Sequence, residues 1–273
     1  MVVYFKSYVV LMCAIAVGLP VVYSTVYPMM TGQLAASSLS GLITMFVLFI
    51  LGMLLGFGFF ERRAQAKADG WVALYNDRCD PQAFVGEGAS LASAMSPPYT
   101  QASAWYMGYY AQAKLELGDA QDAKDILDAM LSSIDSAKKP IVGIGVLVNA
   151  VPLMEKIEGP SKTLSMIQDG LSLCDHVKGA ASAQCRDFLQ SQLSIVEARS
   201  QQDYRKVESL DETVWRSSRY PVRIRAEYAW DGASAAYHLG DLSTEKKALE
   251  YASKNGGSLA IASKAAERLS HLG

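Results

Sequence analysis

The chain divides by its pattern of apolar and polar positions before any single residue is considered. From Ser7 to Phe60 no residue carries a charge, and two apolar runs, Ser7–Tyr27 and Leu39–Phe60, flank a short uncharged stretch, Pro28–Ser38. Each run is close to the roughly 20 residues that a helix needs to cross a hydrocarbon core of ~30 Å. They predict two transmembrane helices. Beyond residue 61 charged residues recur every few positions, as on a solvated globular surface. Apolar residues there return at three- and four-residue spacing, and no alternating stretch is long enough for a strand. The expected fold class is all-α, with residues 1–60 as a membrane anchor and residues 61–273 as a soluble helical domain.

The breaks in the helical pattern are regular. Cys79-Asp80-Pro81, Gly118-Asp119, Gly159-Pro160, Gln202-Asp203 and Gly240-Asp241 each read as the end of one helix and the cap of the next. Glycine accepts the left-handed conformation that ends a helix, aspartate accepts bonds from free amides, and proline suits a first helical position. A looser class of break alternates with these: Ser96-Pro97-Pro98, Lys139-Pro140, Lys178-Gly179 and Tyr220-Pro221. The tight turns recur about every 40 residues, a period that predicts stacked helical hairpins. One hairpin cannot cover its own apolar face, so stacking makes a continuous core, closed by a terminal helix over Ser258–Leu272.

Charge refines the placement. The chain holds 25 basic and 27 acidic residues for a net charge of −2, which gives no electrostatic reason to expect nucleic acid. Lys6 precedes the first apolar run, Arg62, Arg63 and Lys67 follow the second, and the loop between has no basic residue. The positive-inside rule then puts both ends in the cytoplasm, with the soluble domain facing it, as would suit a bacterial inner membrane. A cleaved signal peptide is the alternative for the first run, in which case the second still anchors the chain. Neither run contains an ionisable residue of the kind that marks an ion or proton path. Gly52 and Gly56 give a small-xxx-small spacing that suits packing of the two spans or homo-oligomerisation between chains. Cys174 and Cys185, 11 positions apart, would remain thiols in a reducing cytoplasm and could bridge outside it.

The segment Tyr110-Ala111-Gln112-Ala113-Lys114-Leu115-Glu116-Leu117-Gly118-Asp119-Ala120-Gln121-Asp122-Ala123, continuing through Leu127 to Met130, resembles a tetratricopeptide repeat, with Ala111 and Ala123 as the paired small residues and Gly118 at the turn. A second segment, Gly232 through Tyr237-His238-Leu239-Gly240-Asp241 to Ala252, resembles it less closely and carries Glu245 where the family has alanine. The central units depart further, with Pro152 inside a helix and no glycine at Gln202. The resemblance implies an α-solenoid over about residues 99–256 that binds a partner protein or peptide along the groove formed by the first helix of each hairpin. Position by position, it puts Trp105, Gln112 and Glu116, then Trp230, Ser234, Tyr237 and His238, on that groove.

Other candidate chemistry is sparse. Arg216, Arg219, Arg223 and Arg225 form the clearest basic cluster, either a site for an acidic peptide or headgroup or a solvated loop balanced by Asp211, Glu212 and Glu227. The histidines His176, His238 and His271 stand in no pairing with a nucleophile and an orienting carboxylate. Cys174-Asp175-His176 with Cys185 matches no zinc spacing, and Gly86-Glu-Gly88 and Gly143-Ile-Gly145 lack the preceding strand of a phosphate loop. No catalysis, metal or cofactor is expected. The expected function is a membrane-anchored adaptor or scaffold that binds an unidentified protein or peptide; the alternative is an accessory subunit of a membrane complex whose hairpin is the working part.

Overall fold

The computed structural model describes residues 16–29 and 39–272 apart from 136 and 138, with the backbone alone at 57, 59, 60 and 61. Lys6, Cys13 and the first half of the expected first span lie outside the described residues. Every regular element among the described residues is a helix. The chain forms two compact units, Met1–Asp69 and Gly70–Gly273. The division falls later than the expected 60/61 because α2 (Leu39–Asn76) passes from its apolar to its charged half without a break.

In the first unit, α1 (residues 16–29) includes Pro20 and exposes Val17, Val21, Val22 and Val26, while α2 exposes Leu42, Phe46, Ile50 and Leu54. Phe46 and Leu54 are 66% and 65% exposed, so this half of α2 does not bury its apolar surface within the chain. Gly52 and Gly56 are buried, and Arg62, Arg63 and Lys67 are exposed. Among the described residues one helix is long and apolar enough to cross a membrane, and it is neither expected span: it is α6 (Pro140–Glu158). The apolar part of α2 that meets the same composition is the shorter Ser40–Gly56. The expected two-span hairpin is therefore not established by the described helices.

The second unit is a stack of helices that follows the chain. After α2 come α3 (Pro81–Ala92), α4 (Gln101–Glu116), α5 (Ala120–Asp135), α6, α7 (Pro160–Asp175), α8 (Ala180–Ser200), α9 (Tyr204–Trp215), α10 (Val222–Leu239), α11 (Leu242–Asn255) and α12 (Ala260–Leu272). From α3 onward each helix packs on the next, and α4 also packs on α6, α6 on α8, and α10 on α12. Contacts two elements apart are what a stacked hairpin array requires, and the architecture is compatible with a helical-repeat fold. α6 touches α4, α5, α7 and α8, which accounts for its apolar composition by core packing.

The turns show why this sequence folds so. Cys79, Gly118, Gly159, Gln202 and Gly240, the tight-turn positions, all have positive φ, between 53° and 88°. Cys79 and Gln202 are the two described non-glycine residues that do so, and they sit where the repeat demands the conformation even though their side chains disfavour it. Asp80, Asp203 and Asp241 cap the following helices by accepting backbone N–H bonds from Ala83, Lys206, and Ser243 and Thr244. Asp119 instead receives Lys114 Nζ at 2.8 Å. Alanine at helix crossings, including fully buried Ala111, Ala123, Ala233 and Ala252, lets the helices approach closely. One glycine of each pair serves the same end: a Cβ on Gly88 would collide with the Tyr106 hydroxyl, and one on Gly145 would stand 2.8 Å from the Gln101 side chain, whereas Gly86 faces open space.

The stack curves until its end meets its beginning. Ser258, in the turn before α12, donates both its backbone N–H and its hydroxyl to the Cys79 carbonyl, each at 3.0 Å. Gly257 packs so closely there that a Cβ would lie 2.8 Å from the Arg78 carbonyl. Arg223 Nε, at the start of α10, donates to Asn76 Oδ1 at 2.9 Å.

Candidate binding groove

The inner helices α4, α6, α8 and α10 enclose an open cavity of 710 Å³. The helical period sorts α4 into two faces: Ala104, Met107 and Ala111 are buried in the core, while Trp105, Gly108, Tyr109 and Gln112 line the cavity. α6 contributes Val148, Asn149, Pro152, Glu155 and Lys156; α8 contributes Phe188, Ser191, Gln192, Ile195 and Arg199. The opposite wall is Tyr220, Pro221 and, from α10, Arg223, Ile224, Glu227 and Tyr228.

Two ionic nodes are built into this wall. At the first, Arg223 is 1% exposed; its Nη1 donates to Glu227 Oε1 at 2.7 Å and to Gln112 Oε1 at 3.3 Å, and its guanidinium lies 4.5 Å from the Tyr75 ring centre. Lys156 Nζ reaches the same Glu227 oxygen at 2.7 Å and Glu116 at 3.7 Å. Burial alone would raise the Glu227 carboxyl, but the Arg223 and Lys156 charges outweigh it and hold the group down at about 2. Burial also pushes the Tyr75 phenol up to about 12, Arg223 only partly offsetting it, and its hydroxyl has no hydrogen-bond partner.

At the second node, Arg199 donates to Glu155 Oε1 at 2.9 Å, lies 2.8 Å from Asp231 Oδ2, and reaches Asp211 Oδ1 at 3.4 Å. Asp211 is fully buried on α9 and its Oδ2 has no partner. Burial pushes this carboxyl up to about 8: Arg199 offsets only part of the cost, and Asp231 and Glu155 add to it.

The structure brings some expected positions together and separates others. Trp105 and Gln112 line the cavity, and Glu116 stands at its edge beside Lys156. Trp230 packs instead against the cluster of Trp215, Ala233 and Leu249. Ser234 bonds the Trp230 carbonyl, Tyr237 is exposed beneath Arg268, and His238 stacks on Tyr204 at 4.2 Å. Ser234 and His238 continue the stripe of Arg223 and Glu227 along α10, but past the end of the cavity. The four arginines do not form one patch. Arg223 is buried in the wall, Arg225 donates to the Trp215 carbonyl and covers Tyr251, Arg216 pairs with Glu212, and Arg219 has its backbone N–H on Ser217 Oγ.

Other expected chemistry is occupied locally. Asp175 pairs with Arg186 at 2.6 Å, and Cys174 and Cys185 are free thiols on α7 and α8. Sequence reasoning missed Lys156, Arg199, Glu155, Phe188 and Tyr228, and read Glu227 as a counter-charge to the arginine cluster rather than as part of a cavity wall. The one local signal was the i, i+4 spacing of Arg223 and Glu227; α6 and α8 depart from the repeat pattern, so no position could be carried onto them. No protein-family model, curated protein or solved structure matches the chain.

Proposed function

We propose that this protein is a binding domain of the tetratricopeptide-like kind, tethered at a membrane by its apolar N-terminal region, that holds a segment of a partner protein in the groove between α4, α6, α8 and α10. The observation that carries the reading is the cavity itself. It is lined mainly by the inner helices of successive hairpins, with Tyr220 and Pro221 from the loop before α10, and half-buried aromatic rings lie beside polar groups in its wall, the composition of a pre-formed binding site. The exposed apolar surface of α1 and α2 supports the tether, because a contiguous surface of this kind needs lipid or protein to cover it. Tethering raises local partner concentration, so modest groove affinity suffices.

The test is a photo-crosslinking amino acid placed at Ser191 on the groove wall, or at Asp128 on the outer helix α5, in cells. Adducts from Ser191 alone support the reading; equal adducts from both sides remove it. The second reading, an accessory subunit whose membrane segment is the working part, rests on the same exposed α1 and α2. Replacing residues 1–60 with an unrelated anchor separates the two: retained crosslinks and function favour the groove, and lost function with retained crosslinks favours the membrane segment. A cytoplasmic orientation, in a bacterial inner membrane, is part of the proposal. Cys79 and Cys174 are buried and report poorly on it, so Ser263→Cys, exposed on α12, is the better probe for an impermeant thiol reagent. Labelling in intact cells would reverse the orientation.

A further inference from the structure

The charged groups in the groove wall decide what can occupy it. Arg199 is held by Glu155 and Asp231 at 2.9 and 2.8 Å, Lys156 by Glu227 at 2.7 Å, and Arg223 by Glu227, Asn76 and Gln112 with its face on Tyr75. An incoming carboxylate or phosphate would have to displace a carboxylate from one of these cations. An incoming ammonium could reach only the second oxygens of Glu227 and Glu155, and the charge of these carboxylates is already balanced by Arg223, Lys156 and Arg199. The anion trades one charge-assisted bond for another and leaves a mostly buried carboxylate without a partner, and the cation gives up its hydration for little net attraction, so neither sign gains. The wall therefore discriminates against ligand charge of either sign.

What the wall leaves uncommitted is apolar surface and one end of each of three amides. Trp105 and Tyr109 from α4, Val148 and Pro152 from α6, and Phe188 and Ile195 from α8 offer rings and aliphatic groups. Between them stand uncharged amides, one on each of the three helices and each engaged at one end: Gln112 Oε1 accepts from Arg223, Asn149 Nδ2 donates to the Gly145 carbonyl, and Gln192 bonds the Tyr228 hydroxyl, so the other end of each is what a ligand main chain can meet. Packed helices lie ~8–10 Å apart and an extended chain advances ~3.3 Å per residue, so amides on successive helices meet main-chain groups about three residues apart. Pro152 adds an acceptor: it has no N–H, so the Val148 carbonyl four residues earlier lacks its helical donor, and both residues line the cavity.

We infer that the groove takes an uncharged, apolar stretch of extended polypeptide from a partner protein, its side chains entering between the rings and its main chain bonding to the amides. This deepens the groove reading above and rests on it. The ionic nodes are then structural: they fix the spacing of the four inner helices and exclude charged tails.

The experiment is selection of displayed random heptapeptides on the full-length chain in lipid nanodiscs, after depletion on empty discs. Enriched peptides should lack charge and carry aromatic or aliphatic residues. Their affinity should change less than about threefold between ~50 and ~500 mM salt, a range over which screening weakens charge-driven binding strongly. Ser191→Trp, which fills the cavity from an exposed position, should weaken them by about tenfold or more, with unchanged helicity as the folding control. Enrichment of acidic or basic peptides that Ser191→Trp blocks would overturn this inference and leave the groove reading standing. Peptides indifferent to Ser191→Trp would remove the groove reading itself, and no enrichment over empty discs would count against the polypeptide ligand.

Discussion

Asp211 is the residue whose chemistry is most at odds with its place. It is buried, one oxygen is unpartnered, and the other is the third and longest carboxylate contact of Arg199. In the folded chain its pKa is pushed up to about 8 from an ordinary 3.8, so the fold keeps a proton that the unfolded chain has released. The stability tied to this group is full below about pH 4 and falls as pH rises toward 8. Asp211→Asn should therefore raise the melting temperature, and by more at pH 8 than at pH 5; an equal gain at both would show that the carboxyl does not titrate in this way. Glu227 works in the opposite direction: held down at about 2, it contributes stability above about pH 4.5 that is lost as pH falls toward 2. Gln202 is a simpler mismatch, a side chain at φ 54° where its counterparts Gly118 and Gly240 are glycine. Gln202→Gly should stabilise the domain by about 0.5–1 kcal/mol, read from denaturant midpoints.

Among the elements, α12 shows how the stack ends. Glu245 on α11 departs from the repeat pattern, and the reason is Arg268: its Nε donates to Glu245 Oε1 at 2.8 Å and its Nη2 lies 2.7 Å from the same oxygen. An alanine there would pack the hairpin but could not hold the closing helix by its charge. Glu245→Ala should cost about 1–3 kcal/mol, and hydrogen exchange should locate the loss in α12 rather than α10. Uniform loss of protection through α9–α12 would mean that α12 is no separate unit. α6 carries a related lesson about reading composition. It passes the test of a membrane span by length and hydropathy, yet four neighbouring helices cover it, whereas the apolar face of α2 stays exposed.

Across the second unit as a whole, the decisive feature is closure. An open stack transmits stability only between neighbouring repeats, but here Arg223 joins α10 to Asn76 across 147 residues and Ser258 joins the last turn to Cys79 across 179. Arg223→Met keeps most of the side-chain length and removes the charge that binds α2, α4 and Glu227. It should destabilise the unit by about 3 kcal/mol and reduce exchange protection at residues 73–80 as well as in α10. Loss confined to α10 would mean that closure contributes nothing to cooperativity.

The features legible in the sequence are the local ones. Helix period, aspartate caps, positive-φ turns about every 40 residues and the uncharged N-terminal region all depend on residues a few positions apart, so pattern and propensity suffice to find them. That Trp105 and Gln112 share one side of α4 is legible for the same reason, because seven residues make about two helical turns. The groove's charged wall was not. Whether Arg223 is a solvated surface charge or a buried hub depends on Asn76 and Gln112, 147 and 111 residues away, and Lys156 and Arg199 belong to the site only because curvature brings α6 and α8 opposite α10. Curvature sums small offsets over every helix crossing, set by residues such as Gly108 and Gly145, which leave no room for a side chain against Asn149 and Gln101. Local pattern determined the helices and their turns; only packing between distant segments decided how they close and what the closed groove presents.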